Sequence, residues 1–576
     1  MHGAIYGAII VLSTEIPAST LLDIQTALAS LMKQAQVGGH RAILVLSGSP
    51  DWCCAAATGL FSGCMNAVWI GTRATSAIPP GKARQVLGSE YALAIVDAHD
   101  GLHPDALAAV CGTVVAGGVL VLLTPPWLQW PLLPDPDYDR LASYPHDWRQ
   151  LPHRFIACLQ QSLDISLQQV GCLHLQEQDC PVFPDQLRLP WPLITVGISA
   201  GQPSLAQQNC LQQLSVHSGV SVLLAGRGHG KSALLGFAAR QYQEQGQNVL
   251  LVAPSRAAAA SVFRHAGDNL AFSAPDMLLQ DESILADILL IDEAAAIPQP
   301  ILLALLQRFP RVLLSTTTDG YEGTGQGFVL RFLRELSRHD PGWQRLTLDA
   351  PVRWAANDPL ERWLYRSLLL DAQEPAVDSD ADISEAVFEK LEQSTLAANA
   401  SLLTGIYGLL RSAHYRTTPD DLRFLLDAPM LSLYRLALAG KTIAVALVVE
   451  EGSLDDGMAS EITAGRRRPR GHLLVQTLAV HLNRPEFLQQ RVARVVRIAV
   501  HTQYQQFGLG SRLLQCVTDD QKNCGIKIVG SSFSAATDVL AFWIRNGFEL
   551  LRMGHRRQAA SAAPSALVLK VNGDYD

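Results

Sequence analysis

The stretch VSVLLAGRGHGKSALLGFAARQYQEQG, Val220–Gly246, reads strand, glycine loop and helix in one unbroken run. VSVLLAG is a short β-branched apolar run, and the apolar residues of SALLGFAARQYQEQG line one helical face that Gly246 ends. Between them AGRGHGKS, Ala225–Ser232, has the spacing of a phosphate-binding loop, with Ala225 in place of the usual first glycine. In such a loop backbone N–H groups wrap phosphates where a helix begins, and Gly226, Gly228 and Gly230 allow the turn and the close approach. Lys231 is placed to reach the β- and γ-phosphates of ATP, and Ser232 to ligand magnesium.

Downstream, DILLIDEAAA ends an apolar strand on two carboxylates. Asp292 is expected to hold Mg2+ through water, and Glu293 to orient the attacking water as the catalytic carboxylate. STTT, Ser315–Thr318, ends the next strand where a motor senses the γ-phosphate. Gln207, with Gln208 beside it, is the candidate reader of the adenine edge, and Arg345 a candidate arginine finger.

A second glycine signature lies in VARVVRIAVHTQYQQFGLGSRLLQCVTD, Val492–Asp519. Gln505, Gly508 and Gly510 would offer successive N–H groups to a pyrophosphate at a helix start, as in an acetyl-CoA-dependent acyltransferase. The strand before the loop brings the backbone of Ile498, Ala499 and Val500 to where a pantetheine arm can pair with it. FWIRNGF, Phe542–Phe548, follows as a helix and a Gly-aromatic turn.

The chain of 576 residues is too long for one core, so about three or four domains are expected. With 48% hydrophobic and 17% charged residues it is a well-buried globular protein, and no apolar run is long enough to span a membrane. The start, MHGAIYGAIIVLSTE, reads as a first strand rather than a signal peptide. Ten cysteines without a C-x-x-C pair support neither a disulfide framework nor a zinc site, which fits a cytoplasmic protein. The formal charge of −8 does not advertise nucleic-acid binding, yet basic residues cluster at Arg466–Arg468, Arg470, Arg491, Arg494 and Arg497.

The fold class is α/β and multidomain. Residues 1–195 are expected to form a doubly wound α/β domain, from the buried-strand runs at Arg41–Pro50, Tyr91–His99 and Gly117–Pro126. Asp97, His99 and Asp100 close one of those strands, and a structural role suits them best. Residues 196–350 form the ATPase domain, 351–390 a connector whose acidic stretch Asp371–Ala386 is an exposed linker, 391–570 the acyltransferase domain, and 571–576 a short tail.

The whole pattern closely resembles the tRNA(Met) cytidine acetyltransferase family, related to the eukaryotic RNA cytidine acetyltransferases. GYEGTGQGF (Gly320–Phe328), PVRWAANDPLERWL (Pro351–Leu364), AHYRTTPDDLRFLLDAP (Ala413–Pro429), RRPRGHLL (Arg467–Leu474) and RIAVHTQYQQFGLGSRLL (Arg497–Leu514) carry the resemblance. It implies a helicase-like P-loop ATPase module, a Gcn5-related acetyltransferase domain, and ATP-dependent acetylation of the wobble cytidine in the anticodon loop of elongator tRNA(Met). By the same resemblance ATP is contacted by Gln207, Gly228, His229, Gly230, Lys231, Ser232, Ala233, Leu234, Leu235, Gly236, Phe237 and Arg345, with Asp292 beside the magnesium. Acetyl-CoA falls on Ile498, Ala499, Val500, Gln505, Gln506, Phe507, Gly508, Leu509, Gly510, Ser511, Asp538 and Arg545, Asp538 standing where the family pattern has Glu. His414 and Tyr415 match the motif placed near the reacting base. The family generally continues into a C-terminal RNA-binding region, whereas this sequence stops at NGDYD, so the basic cluster is the expected RNA surface. Two alternatives remain open at this point: a protein N-acetyltransferase with a regulatory ATPase, and an RNA-remodelling ATPase that uses its acetyltransferase domain only for binding.

Overall fold

The computed structural model describes residues 17–169, 171–177, 201–267, 269–317, 326–378, 381–414, 417–557 and 563–571. The expected strand at the N-terminus, Thr318, most of GYEGTGQGF, and Tyr415 lie outside the described residues. The chain divides into two compact units, the first made of the described parts of 1–133, 164–195 and 357–360 and the second of the rest.

In the first unit, β1 (Ala42–Ser47), β2 (Ala67–Ile70), β3 (Tyr91–Asp97), β4 (Val114–Thr124) and β5 (Cys172–Gln176) form a parallel sheet in the order β2-β3-β4-β1-β5. Every residue of β1 is buried, as a strand covered on both faces requires. Residues 357–360 return to this unit, where Asp358 accepts hydrogen bonds from the backbone N–H and guanidinium of buried Arg41. Asp97 has a local structural role: it accepts from His99 N–H at 3.0 Å and pairs with the His99 ring at 2.8 Å.

The second unit holds two sheets. β6 (Val220–Ala225), β7 (Val249–Val252), β8 (Ala271–Ser273), β9 (Ile288–Ile291), β10 (Val312–Thr317) and β11 (Gln344–Leu348) are parallel, in the order β11-β6-β10-β9-β7-β8. Separate apolar clusters cover its two faces, Leu223 and Leu290 on one side and Val222 and Leu289 on the other. Because β10 lies between β6 and β9, the phosphate loop, the Ser315–Thr317 run and the Asp292-Glu293 pair leave three neighbouring strands at the same carboxyl edge, where open α/β sheets bind ligands.

β12 (Val387–Leu391), β13 (Leu431–Leu438), β14 (Lys441–Gly452), β15 (Arg491–Val500), β16 (Ile528–Ser534), β17 (Glu549–Arg557) and β18 (Pro564–Val571) make the third sheet, in the order β12-β13-β14-β15-β16-β18-β17. Only β15 and β16 run parallel.

Two sequence expectations change. Residues 134–163, assigned to the N-terminal domain, pack instead in the second unit. There buried Asp427 accepts from Tyr138 O–H at 2.6 Å and from the N–H groups of Arg154 and Phe155 at 2.9 Å each. The acidic stretch from Asp371 is not a free linker either. Leu370 and Ala372 are buried, Arg411 donates to the Ala372 carbonyl at 2.9 Å, and Tyr504 O–H donates to the Asp378 carbonyl. Composition marked the segment as solvated, whereas its backbone carbonyls and small side chains are what dock.

Candidate ATP and acetyl-CoA sites

The helix Lys231–Glu244 starts at Gly230, whose φ of 82° and that of Gly228, 79°, lie in the left-handed region open to glycine. Close packing adds to the requirement: a Cβ on Gly228 would sit 2.7 Å from the Trp354 ring, and one on Gly230 2.6 Å from the Gln207 amide. Leu234 N–H already bonds the Gly230 carbonyl, so the N–H groups of Lys231, Ser232 and Ala233 are the ones left for an anion. Lys231, 6% exposed, donates from Nζ to the Gly226 carbonyl at 3.2 Å. Burial pushes its ammonium pKa down, against the pull of Glu293 and Asp292.

Asp292 is fully buried, and burial followed by the neighbouring Glu293 charge raises its pKa to about 6. Ser315 O–H donates to its Oδ1 at 2.5 Å, while Oδ2 has no hydrogen-bond partner among the described residues. A buried carboxylate oxygen left over, with the Ser232 hydroxyl beside the same carboxylate, is an oxygen donor set that fits a hard divalent cation. Glu293 adopts φ 50° and accepts from Thr317 O–H at 3.3 Å. The Ser315–Thr317 run therefore braces both carboxylates, a contact that the sequence reading placed on the γ-phosphate alone.

Several expected ATP contacts move. Gln207 is 3% exposed and its amide is committed at both ends: Oε1 accepts from Ser204 N–H in a capping box, and Nε2 donates to the Gly230 carbonyl at 3.0 Å. It braces the phosphate loop through these bonds. Leu234 and Leu235 are core residues, and Gly236 packs against the Val262–Ala266 backbone. Phe237 lies edge-on to His265, and His229 bonds the Leu348 carbonyl at 2.6 Å. Arg345 is exposed on edge strand β11, paired in register with Val222, three residues before the end of β6, or about 10 Å at the rise of a strand.

Sequence reasoning missed the segment that covers the loop. Val352 and Arg353 donate their N–H groups to the Gly228 carbonyl at 2.9 and 3.2 Å. The backbone of Arg353 is thus held at the phosphate loop, whereas Arg345 lies further down edge strand β11. PVRW was legible as a motif, yet nothing in its spacing ties it to Gly228.

At the second loop, Gln506 (φ 70°) and Gly508 (φ 81°) turn the chain into the helix Leu509–Asn523. Arg512 N–H is bonded to the Gly508 carbonyl, which leaves the N–H groups of Leu509, Gly510 and Ser511 for an anion. Leu509 has its side chain in the core, whereas Phe507 is 64% exposed. Gln505 Nε2 donates to the Val500 carbonyl at 3.2 Å. Val496 is extra in the β14–β15 register, since Leu447 faces Arg497 and Val448 faces Val495. β15 pairs with β16 only as far as Val495 with Ser531, although the two strands run on to Val500 and Ser534. Ile498–Val500 pair with β14 alone, so their other backbone edge opens into a wedge between the diverging strands. Asp538 and Arg545 are exposed at the first and last turns of the helix Thr537–Arg545, whose Phe542 lies against Gly510.

His414 ends the helix Ala400–Ala413, half-buried, with its N–H on the Leu410 carbonyl. The neighbouring chain is tied to β15 on both sides of Ile498–Val500. Arg497 reaches Thr417 at 3.0 Å and Asp421 at 2.5 Å, and Ser412 and Thr502 share the Glu374 carboxylate. These ties hold the end of the helix that carries His414 beside the end of β15. The basic cluster fares differently. Arg466 pairs with Glu461, Arg470 with Asp139, Arg491 with Glu450 and Arg494 with Glu451, while Arg467 and Arg468 form no ion pair among the described residues.

A P-loop sheet with a carboxylate pair on its neighbouring strand, followed by a splayed sheet with a second glycine cradle, defines an ATPase fused to an acyl-CoA-dependent acetyltransferase. Family models agree along the chain. Residues 21–173 match the tRNA(Met) cytidine acetyltransferase TmcA N-terminal model, 222–371 the RNA cytidine acetyltransferase NAT10/TcmA helicase domain, and 405–522 GNAT acetyltransferase 2. A tRNA(Met) cytidine acetyltransferase TmcA of Nitrosococcus halophilus is 37% identical over 590 residues, 96% of this chain and 78% of that protein. The Pectobacterium atrosepticum protein of the same name is 38% identical over 93% of this chain and 77% of its own, and that of Haloferax volcanii 32% over 95% and 78%. Among solved structures, the ribosomal-protein-S18-alanine N-acetyltransferase of Escherichia coli aligns with 33% of this chain and 96% of its own at 15% identity and a TM-score of 0.23. The chain belongs to the tRNA(Met) cytidine acetyltransferase family.

Proposed function

We propose that this protein transfers acetyl from acetyl-CoA to the exocyclic 4-amino group of the wobble cytidine in the anticodon loop of elongator tRNA(Met), at the expense of ATP. Membership of the family supports the cytidine acetylation, and the wedge beside Ile498–Val500, with Ser412 and Thr417 on either side of His414 bonded to Glu374 and Arg497, is the observation that carries the mechanism. The cytidine amine is a weak nucleophile because its lone pair is delocalised into the ring, so the transfer depends on placement, oxyanion stabilisation and proton removal. The N–H groups of Leu509, Gly510 and Ser511 hold the pyrophosphate, and the open edge of Ile498–Val500 orients the pantetheine arm. His414 accepts the proton from the attacking amine, with Tyr415 as its partner at the base. Among the described residues no cysteine belongs to Ile498–Val500 or to the Gln505–Ser511 loop, which favours direct transfer.

In the ATPase module Lys231 meets the β- and γ-phosphates, Ser232 and Asp292 would hold Mg2+, Glu293 orients water, and Arg353, whose backbone is bonded to the loop at Gly228, is the candidate to neutralise charge on the phosphates. The bound metal supplies charge neutralisation on the phosphate oxygens. Turnover remodels the tRNA loop or the grip on it, because a wobble base is read from a single-stranded loop. Among the described residues no helix is long and apolar enough to cross a membrane, and with free cysteines and a tRNA substrate we place the enzyme in the cytoplasm.

Incubation with labelled acetyl-CoA, ATP and bulk tRNA, followed by digestion to nucleosides, tests the reading. Label in N4-acetylcytidine is the expected result, and label in protein alone overturns it. Equal acetylation with a non-hydrolysable ATP analogue would remove the motor role.

A further inference from the structure

Glu374 sits in the segment that composition marks as linker, and the fold gives it a specific seat. The residues on either side of it lie on the helix Ala400–Ala413 where that helix is smallest: a Cβ on Gly408 would fall 2.0 Å from the Gln373 carbonyl oxygen, and one on Gly405 3.1 Å from the Pro375 ring. Arg411 fixes the same stretch through the Ala372 carbonyl at 2.9 Å. The Glu374 side chain, 14% exposed, then gathers donors from two elements. Oε1 accepts from Ser412 O–H, two residues before His414. Oε2 accepts from Thr502 N–H at 3.0 Å and from Thr502 O–H, two residues after Val500, and lies 3.4 Å from His501 Nε2. His501 Nε2 is in turn 3.0 Å from the Pro375 carbonyl.

We propose that Glu374 is a positioning residue for acetyl transfer, one carboxylate that clamps the end of the His414 helix to the turn leaving the Ile498–Val500 strand. This rests on the reading of His414 as the base and of Ile498–Val500 as the acetyl-CoA strand. A carboxylate suits the task because it only accepts, and every group aimed at it from Ser412 and Thr502 donates. Without it the Thr502 N–H loses its acceptor, and the two elements that hold base and thioester lose a direct polar tie.

The test uses the full chain with tRNA, ATP and acetyl-CoA. Glu374→Ala is expected to lower kcat for cytidine acetylation by roughly 100-fold, the cost of about 1 Å of misplacement between reacting groups. KM for acetyl-CoA and the ATPase rate should each change by less than about threefold, because the glycine cradle and the P-loop are untouched. Glu374→Gln should restore most of the rate: its carbonyl oxygen can take the Thr502 N–H while its NH2 group faces Ser412 Oγ, which also bonds the Leu409 carbonyl. In the double variant with His414→Ala, removal of Glu374 should slow transfer no further than His414→Ala alone.

Wild-type kcat in Glu374→Ala overturns the proposal, and so do additive losses in the double variant. An Ala variant whose acetyl-CoA affinity falls as far as its kcat also overturns it, since that is loss of the fold. Full activity of His414→Ala is a separate failure, of the base itself, and is visible without any change at Glu374.

Discussion

Gly510→Glu tests the acetyl-CoA cradle most directly. A Cβ at this position would meet the Phe542 ring at 3.3 Å and Val500 at 3.4 Å, both side chains half-buried and able to yield by a few tenths of an ångström. Bulk alone is thus a small perturbation, and Gly510→Ala, inside the first helical turn, should change CoA affinity only a few-fold. The carboxylate is another matter. About 5 Å from a doubly charged pyrophosphate it costs about 1.7 kcal/mol in a water-like dielectric and about 6.6 kcal/mol at an effective dielectric of 20. Gln505–Gly508 are exposed, so the watery end of that range applies, roughly a 20-fold loss of affinity. Calorimetry with CoA at two ionic strengths reads both size and origin, because the loss at an exposed site should shrink as salt screens it. ATP hydrolysis should persist, since the P-loop stands on a different sheet. Equal affinities for the Ala and Glu variants, or a loss indifferent to salt, would refute the charge argument and with it the cradle.

Arg353→Ala should slow ATP hydrolysis more than about tenfold, while Arg345→Ala stays within about twofold; the reverse order in steady-state assays would return the finger to Arg345. Burial raises the Asp427 carboxyl to about 6, so the folded state holds a proton that the unfolded chain has already released, and the stability from this group is full below about pH 4 and lost as pH rises through about 6. Asp427→Asn removes that titration, so the stability advantage of the wild type over the variant should shrink by roughly 2–3 kcal/mol between pH 4 and pH 7. Urea midpoints at the two pH values decide it, and an advantage that grows with pH would sink it. Replacing Arg467 and Arg468 together by Ser should flatten the slope of log K for tRNA against log salt by about 1.4 to 1.8, at roughly 0.7 to 0.9 per phosphate contact. An unchanged slope would move the RNA surface elsewhere.

Both nucleotide loops were legible in the sequence because each is a contiguous strand–glycine–helix unit, in which anion-binding N–H groups come from successive residues. The carboxylate pair Asp292-Glu293 was legible for a similar reason, as it closes a buried strand, and the sheet order then set it beside the loop. Legibility failed wherever the partner lies far along the chain. Nothing in the letters of PVRW ties it to the phosphate loop, and only the hydrogen bonds from residues 352 and 353 to Gly228 bring Arg353 there. The run Arg466–Arg470 looks like an open basic patch until Glu461 and Asp139 are brought to two of its members. That the Gln207 amide is held by Ser204 and Gly230 was likewise not legible in the sequence. Local backbone chemistry and hydrophobic period are properties of adjacent residues, so the sequence determined by itself that two nucleotide-binding modules exist and where each begins. Which charges are neutralised, which polar groups are already bonded, and that an acidic linker seats on Gly405 and Gly408 to place Glu374 were decided by the tertiary structure, since a hydrogen bond or ion pair depends on proximity in space that only the packed sheets create.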